Sequence, residues 1–424
     1  METTPCPYTF FAGLDAHWGD VKVRLVDAAK EPVGRRVFPA DQAGVAALVD
    51  WLDTQVGARR DALALAVERP DGPVSEALVG AGLNVYSINP KQARLYGRFC
   101  NVAEAKDDDR DALQLAKAAA SHLECFTLVT PDPPLVVRLR ELTRTHEDLR
   151  AAENQWANRL REALHNYFPA LLKLASPNLL DPFVWELLER WPTPALAAAA
   201  SPEEIADLLK RHRIRRWSPD QVVAALRADP PALLPGRADT YGRTIQPVVA
   251  VLRTVCTERV ALHREIGVAL ADLGATLATP ADPGVVALAL SNRGLGVLTC
   301  ARLCGEAWRF LSTLDLAAMR RRGGCAPVTE TSGKSGAIHQ RWACNPHLRR
   351  ALHDWARGAV AHDPLAKAHF QELRARGCTV ERALRGVVDR LLAVLFAMLR
   401  DRTRYDPTRR KRYTQTAQDR PQEA

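Results

Sequence analysis

TFFAGLDAHWGDVKVRLVDA, residues 9–28, contains two stretches rich in alternating apolar positions, TFFAGLDAH and DVKVRLVDA, which read as paired β-strands. Working outward, RRVFPA (residues 35–40) reads as a third strand, and a helical pattern runs from Asp41 to Val56. ALALAVE (residues 62–68) is a short apolar run with the length of a buried strand. Pro73 opens a helix whose EALVGAG stretch ends at Gly82, a plausible C-cap. LNVYSI (residues 83–88) is a further strand closed by Asn89-Pro90, and from about Arg110 the stretch DALQLAKAAASHL is strongly helical.

Three strands, helix, strand, helix, strand, helix is an RNase H-like α/β layout, assigned to residues 1–130. Pro131, Pro133 and Pro134 then mark a linker. The stretch from Leu135 to Phe168 has repeated apolar positions and dense charge, and a similar one runs from about Tyr241 to Leu273. Two such helices predict an antiparallel coiled coil within a helical region, residues 131–275. Between them, SPEEIADLLKRHRI and SPDQVVAALRA each begin with a Ser-Pro cap signal and read as short helices. Residues 276–399 read as helical with glycine-rich breaks, and residues 400–424 as a basic, flexible tail.

The 424 residues are enough for two to three domains. Lys and Arg number 58 against 49 Asp and Glu, a net charge of +9 that points to a polyanionic partner. At 47% hydrophobic and 25% charged residues the chain is not a largely disordered one. The apolar run from Leu391 to Leu399 is too short to span a bilayer, and METTPCPYTF has neither a basic nor an apolar leader region. Nine scattered cysteines suit reduced thiols, so a soluble cytoplasmic protein is expected, nucleoid-associated when bound.

Carboxylates fall where such a fold gathers chemistry. Asp15 lies in the first strand and Glu68 ends the fourth; central parallel strands would set them side by side. Asp108 and Asp111, in AKDDDRDA, stand three apart at a helix start and share a face. Clustered carboxylates repel unless a cation compensates them, and oxygen donors of this kind suit Mg²⁺. Asp107 and Asp109 read as a solvated helix start, and His17 as a strand residue.

GLDAH, AVERPDG and KDDDRDA resemble the three motifs of the DEDD-type insertion-sequence transposases, the IS one-ten family. Lys106, Asp108, Asp111 and Ala112 match its K-T-D-x-x-D-A motif, with Asp107 in place of the threonine. The resemblance implies a RuvC-like domain in which Asp15, Glu68, Asp108 and Asp111 form a catalytic Mg²⁺-binding tetrad. GGCAPVTETSGKSGAIHQRWACNPHLRRALHDWA, residues 323–356, resembles the family's C-terminal transposase block. There the nucleophile is the serine before Gly, which carries over to Ser332, with Ser335 as the alternative. A hydroxyl beside glycine can approach a phosphate closely, and Lys334, Arg341 and Arg349 are placed to bind phosphate oxygens. Arg320, Arg321 and Arg322, just upstream, are candidates for backbone contact with nucleic acid. The family's Pro-Gly-x-Gly turn is altered to SNRGLGVLTCARL, residues 291–303, where Gly294 and Gly296 still permit a helix-hairpin-helix-like grip on phosphates.

The function so implied is a DNA recombinase that cuts and rejoins strands to mobilise an insertion sequence. Its partners would be donor and target DNA, a structured bridge RNA that guides it, and further copies of itself as a homodimer or homotetramer. Two alternatives are a RuvC-like junction nuclease without serine chemistry and a domesticated, non-catalytic nucleic-acid-binding protein. TSGKSG lacks the spacing of a Walker A loop. Cys300, Cys304, Cys325 and Cys344 read as buried thiols ahead of a zinc site.

Overall fold

A computed structural model of the chain describes residues 6–68, 70, 72–100, 108–228, 233–279, 282–332 and 335–408. Two compact units divide it, Met1–Asp132 and Pro133–Ala424.

The first unit comprises β1 (Phe10–Ala16), β2 (Asp20–Asp27), β3 (Pro32–Pro39), α1 (Gln42–Val56), β4 (Leu63–Val67), α2 (Pro73–Gly80), β5 (Asn84–Ser87), α3 (Pro90–Cys100), α4 (Asp108–His122) and β6 (Thr127–Leu128). One sheet has the order β3-β2-β1-β4-β5-β6. β1, β4 and β5 run parallel, while β2 pairs antiparallel with β1 and β3, and β6 with β5. This is the RNase H-like arrangement with one short strand added. All five residues of β4 are buried, as a central parallel strand covered on both faces requires. The two faces sort by residue parity. Ala12, Leu14, Leu65 and Val67 pack with Val45, Leu48 and Leu52 of α1. Phe11, Ala64 and Ala66 pack with Leu115, Ala116 and Ala119 of α4. Asp41 caps α1, its Oδ1 accepting from the Gly44 N–H at 2.7 Å, and Gly57 closes the helix at φ 63°.

Helix α3 was not expected. Asn89-Pro90, read as the stop of a strand, is also a helix start: Asn89 Oδ1 accepts from the Lys91 N–H at 2.9 Å and Pro90 is the first helical residue.

The second unit is helical apart from one hairpin. It comprises α5 (Pro134–Tyr167), α6 (Ala170–Leu174), α7 (Pro182–Arg190), α8 (Pro194–Ala198), α9 (Pro202–Arg211), α10 (Pro219–Leu226), α11 (Arg237–Leu277), α12 (Gly284–Leu290), α13 (Val297–Ser312), α14 (Leu316–Arg322), β7 (Val328–Ser332), β8 (Ser335–His339), α15 (Pro346–His362), α16 (Pro364–Ala375) and α17 (Val380–Asp401). α5 and α11 lie antiparallel, since Val136 and Leu139 pack with Ile266 and Leu270 while Leu160 and Leu164 pack with Val249 and Leu252. Arg138–Glu265 (2.8 Å) and Arg259–Glu153 (3.0 Å) pin the same register. Both Ser-Pro signals are capping boxes, Ser201 with Glu204 and Ser218 with Gln221. No helix among the described residues is long and apolar enough to cross a membrane.

The hairpin β7–β8 corrects the expectation of helices and loops alone in this part. The start of the basic tail is also held rather than flexible. Arg402 pairs with Asp282 at 3.0 Å, the Tyr405 N–H donates to Ser291 Oγ, and its hydroxyl donates to Asp363 Oδ2 at 2.8 Å. Residues 409–424 lie outside the described residues.

His146 in α5 is 2% exposed, faces His263 of α11, and among the described residues has no hydrogen-bond partner on either ring nitrogen. Burial pushes its pKa down to about 4, and the charges of Arg302, Arg259, His263 and Arg150 add to that. The unfolded chain therefore takes up a proton near pH 6.5 that the folded chain refuses until about pH 4. Stability contributed by the neutral imidazole is lost as pH falls through this window. Thermal melts should show a lower Tm at about pH 5 than at about pH 7, and His146→Phe should make that fall shallower. An equal fall in both proteins would show that His146 does not govern it.

Candidate active site and nucleic-acid interface

In the first unit the site is built by strand register. Leu14 of β1 pairs with Val67 of β4 in parallel, so Asp15 and Glu68 stand one step beyond the last bonded pair, side by side. Adjacent strands lie about 4.8 Å apart. Asp15 continues the odd positions after Phe11 and Gly13, and Glu68 the even positions after Ala64 and Ala66, so both belong to the face that α4 covers.

Gly13 determines how closely α4 approaches. A Cβ there would lie 1.9 Å from the Ala112 carbonyl oxygen and 2.5 Å from the Ala116 nitrogen. Helix backbone therefore rests directly on strand backbone, which glycine alone permits. Phe11 packs with Leu115 and Ala119, and Gly13 meets Ala112 and Ala116. The next residue of that row, Asp15, then falls toward the first turn of α4, which Asp108 opens and where Asp111 is exposed. Asp15 pairs with Lys22 across the β1–β2 ladder. His17, expected within the strand, lies past its end in the turn, with Nε2 3.2 Å from Asp15 Oδ2.

Backbone position thus gathers Asp15, Glu68, Asp108 and Asp111 at one end of the sheet. Among the described residues, no three His, Cys, Asp or Glu side chains converge into a group that could hold a metal ion. The Asp108 side chain, like Lys106 and Asp107, lies outside what is described.

In the second unit Ser332 ends β7 and Ser335 begins β8, paired with each other across the ladder. Ser332 therefore stands at the tip of a hairpin rather than on an open loop; Gly333 and Lys334 between them lie outside the described residues. Below the tip the hairpin is braced by arginines. Arg341 Nε donates to the Ala326 carbonyl at 3.3 Å, and Arg385 of α17 donates to Gln340 Oε1 at 2.9 Å. Arg349 lies over the Trp342 ring, its guanidinium carbon 5.4 Å from the centroid. Arg320 is held by Asp389 (2.6 Å), while Arg321 and Arg322 are exposed. Gly324, at φ 73°, lets the chain turn against Cys344, where a Cβ would lie 2.9 Å from its sulfur. Burial, followed by Asp389 and Cys344, pushes the Cys325 thiol up to about 12, so it is no rival nucleophile near neutral pH.

A buried polar network fixes the segment after the hairpin. Asn345 is 8% exposed, caps α15 by accepting from the Leu348 N–H, and donates to Glu306 Oε2 at 2.7 Å. Burial raises the Glu306 carboxyl, yet the Arg144 and Asn345 hydrogen bonds outweigh it and hold it below the usual range. Glu147 alongside accepts from His347 (2.8 Å) and Arg350 (2.6 Å). Asn345 is thus a structural cap. Gly294 is likewise occupied by packing: at φ 80° its Cβ would meet the backbone of Gly358 and Ala359 at 2.4 Å. Gly296, the N-cap residue of α13, has open space around it. Arg385 and Trp342 were missed by the sequence reading, because nothing local marks a helical Arg some 45 residues from its partner.

Residues 12–169 match the family model for DEDD transposases of the IS110 type, described as a transposase. Residues 286–371 match the one described as the transposase of the IS116/IS110/IS902 family. The y4uE transposase candidate of Sinorhizobium fredii is 41% identical over 208 residues, 49% of this chain and 58% of that protein. The mini-circle transposase candidate for IS117 of Streptomyces coelicolor is 27% identical over 408 residues, covering 95% of this chain and 96% of that protein. The 43.6 kDa protein of insertion element IS110 from the same organism is 29% identical over 417 residues, covering 93% and 95%. Asp15, Glu68, Asp108 and Asp111 fall inside the first matched segment and Ser332 inside the second. On two matched segments and relatives aligned along nearly its whole length, the chain belongs to the IS110 family of transposases.

Proposed function

We propose that this transposase cuts and rejoins DNA with a carboxylate tetrad, Asp15, Glu68, Asp108 and Asp111, and the hydroxyl of Ser332 as nucleophile. The observation that carries the first half is the placement of Asp15 and Glu68 on one face, at adjacent ends of parallel strands, beneath the helix that Asp108 opens. Two carboxylates side by side are unfavourable without a compensating cation, and hard oxygen donors fit Mg²⁺. When bound, Mg²⁺ supplies positive charge that a phosphate oxygen can share during in-line displacement. Asp15 and Glu68 would hold it from rigid strand ends, and Asp108 and Asp111 from the first turn of α4.

The serine step balances simply. The Ser332 hydroxyl loses its proton and its oxygen attacks phosphorus, forming a phosphoserine while the leaving sugar oxygen takes up a proton. A second strand's hydroxyl then loses its proton and attacks the same phosphorus, and the P–O bond to the serine breaks as the serine oxygen takes up a proton, so no phosphodiester energy is lost. Arg341 and Arg349 near the hairpin supply guanidinium groups suited to phosphate oxygens, and Arg321 and Arg322 an exposed cationic approach. The same reading carries a structured bridge RNA that selects the sites and an assembly of two or four copies.

Asp15→Asn and Glu68→Gln keep shape and remove charge. Each should lower Mg²⁺-dependent cleavage of element-end DNA by more than about a hundredfold, with the melting transition unchanged within a few degrees. Cleavage at wild-type rates by both variants would sink the tetrad.

A further inference from the structure

We propose that Trp342 is a stacking platform for an unpaired base of the DNA strand engaged by the serine hairpin. This rests on the reading of the chain as a DNA-cutting transposase and adds to it the form of DNA the second unit holds.

Trp342 is 70% exposed, although an indole is among the side chains that gain most from burial. A single exposed apolar residue needs no explanation, but this one has a built setting. Arg349 lies over the ring at 5.4 Å and also donates toward the Cys344 sulfur at 3.8 Å. The Cys344 N–H donates to the Trp342 carbonyl at 2.9 Å, and the neighbouring Asn345 is locked by the Glu306 network. The backbone that carries the ring is thus anchored, Arg349 backs the ring, and much of the residue is open to solvent. Arg341 precedes it in the chain, the Asn345 N–H donates to the Arg322 carbonyl at 2.8 Å so that the end of α14 with its exposed arginines adjoins this segment, and among the described residues neither Arg349 nor Arg341 forms an ion pair with an acidic side chain. Positive charge for a backbone combined with an aromatic face is the recipe for single-stranded nucleic acid. A protein partner would not need that charge.

Position adds a constraint. His339 pairs with Val328, four residue pairs below the Ser332–Ser335 pair, which is on the order of 13 Å along the strands. Trp342 follows His339, so the base it receives flanks the cleaved phosphate rather than carrying it. A base stacked inside a duplex does not offer its face to an indole, so the strand must be unpaired or frayed at that point.

The test is fluorescence anisotropy of the full-length protein with a labelled single-stranded oligodeoxynucleotide and with the same sequence as a duplex. Trp342→Ala should weaken single-strand binding roughly tenfold, Trp342→Phe should restore most of it, and duplex binding should change less than about twofold. Single-strand affinity equal to wild type in Trp342→Ala would overturn the proposal, more so if sedimentation showed altered self-association, which would assign the ring to a protein interface. Failure of the wild type to bind either DNA would overturn the wider reading as well, so the two failures are distinguishable.

Discussion

Gly13→Ala is expected to be the most damaging single-methyl change in the first unit. The new Cβ would sit 1.9 Å from the Ala112 oxygen and 2.5 Å from the Ala116 nitrogen, and both are backbone atoms inside a helix. No rotamer change relieves that contact, so α4 must move off β1 and open the cluster of Phe11, Ala66, Leu115 and Ala116. Overpacking a tight core costs about 1–3 kcal/mol, and a backbone clash belongs at the top of that range. For a unit of this size the loss corresponds to roughly 10 °C in Tm. Cleavage should fall with it, because the same shift carries Asp111 away from Asp15. Gly19 is the control: no atom lies within 4 Å of its Cβ position, so Gly19→Ala should melt within a degree or two of wild type. Equal melting curves for Gly13→Ala and wild type would show that α4 does not rest on β1 as described.

Ser332→Ala carries the largest expected catalytic effect. Removing a nucleophile lowers turnover by about 10³-fold or more. The thiol of Cys325, seven residues earlier in the chain, is pushed up to about 12 and is not available as a thiolate. Ser335 is the candidate substitute, since it pairs with Ser332 across the hairpin tip. Ser335→Ala should therefore retain most strand transfer while Ser332→Ala loses it. The reverse result would move the nucleophile to Ser335. Cleavage retained by both variants, with Mg²⁺ present, would favour a junction nuclease that uses water.

Much of the first unit was legible because its physics is local. Alternation marks β2, an unbroken apolar run marks β4, and Asp41 announces α1. Helix α3 was missed because Asn89-Pro90 serves equally well to end a strand and to cap a helix. The hairpin β7–β8 was hidden for a different reason. Thr329, Thr331 and Ser332 are polar, so no apolar alternation marks the strand, and the glycines suggested a loop. The acidic motif could be read, but the contact that sets α4 against β1 could not: Gly13 against Ala112 is a contact across about a hundred residues. Arg385 on Gln340 and Tyr405 on Asp363 were illegible on the same ground, being pairs that only the folded chain creates.

On the proposed mechanism, DNA should become covalently attached to Ser332 during strand exchange. Wild-type protein is incubated with Mg²⁺, RNA transcribed from the DNA flanking its gene and nicked element-end DNA, quenched in denaturant, digested, and the DNA-linked peptide sequenced by mass spectrometry. The expected result is an adduct on the peptide containing Ser332, absent from Ser332→Ala and from Asp15→Asn. Efficient DNA cutting with no protein-linked product, or an adduct mapped to another residue, would contradict it.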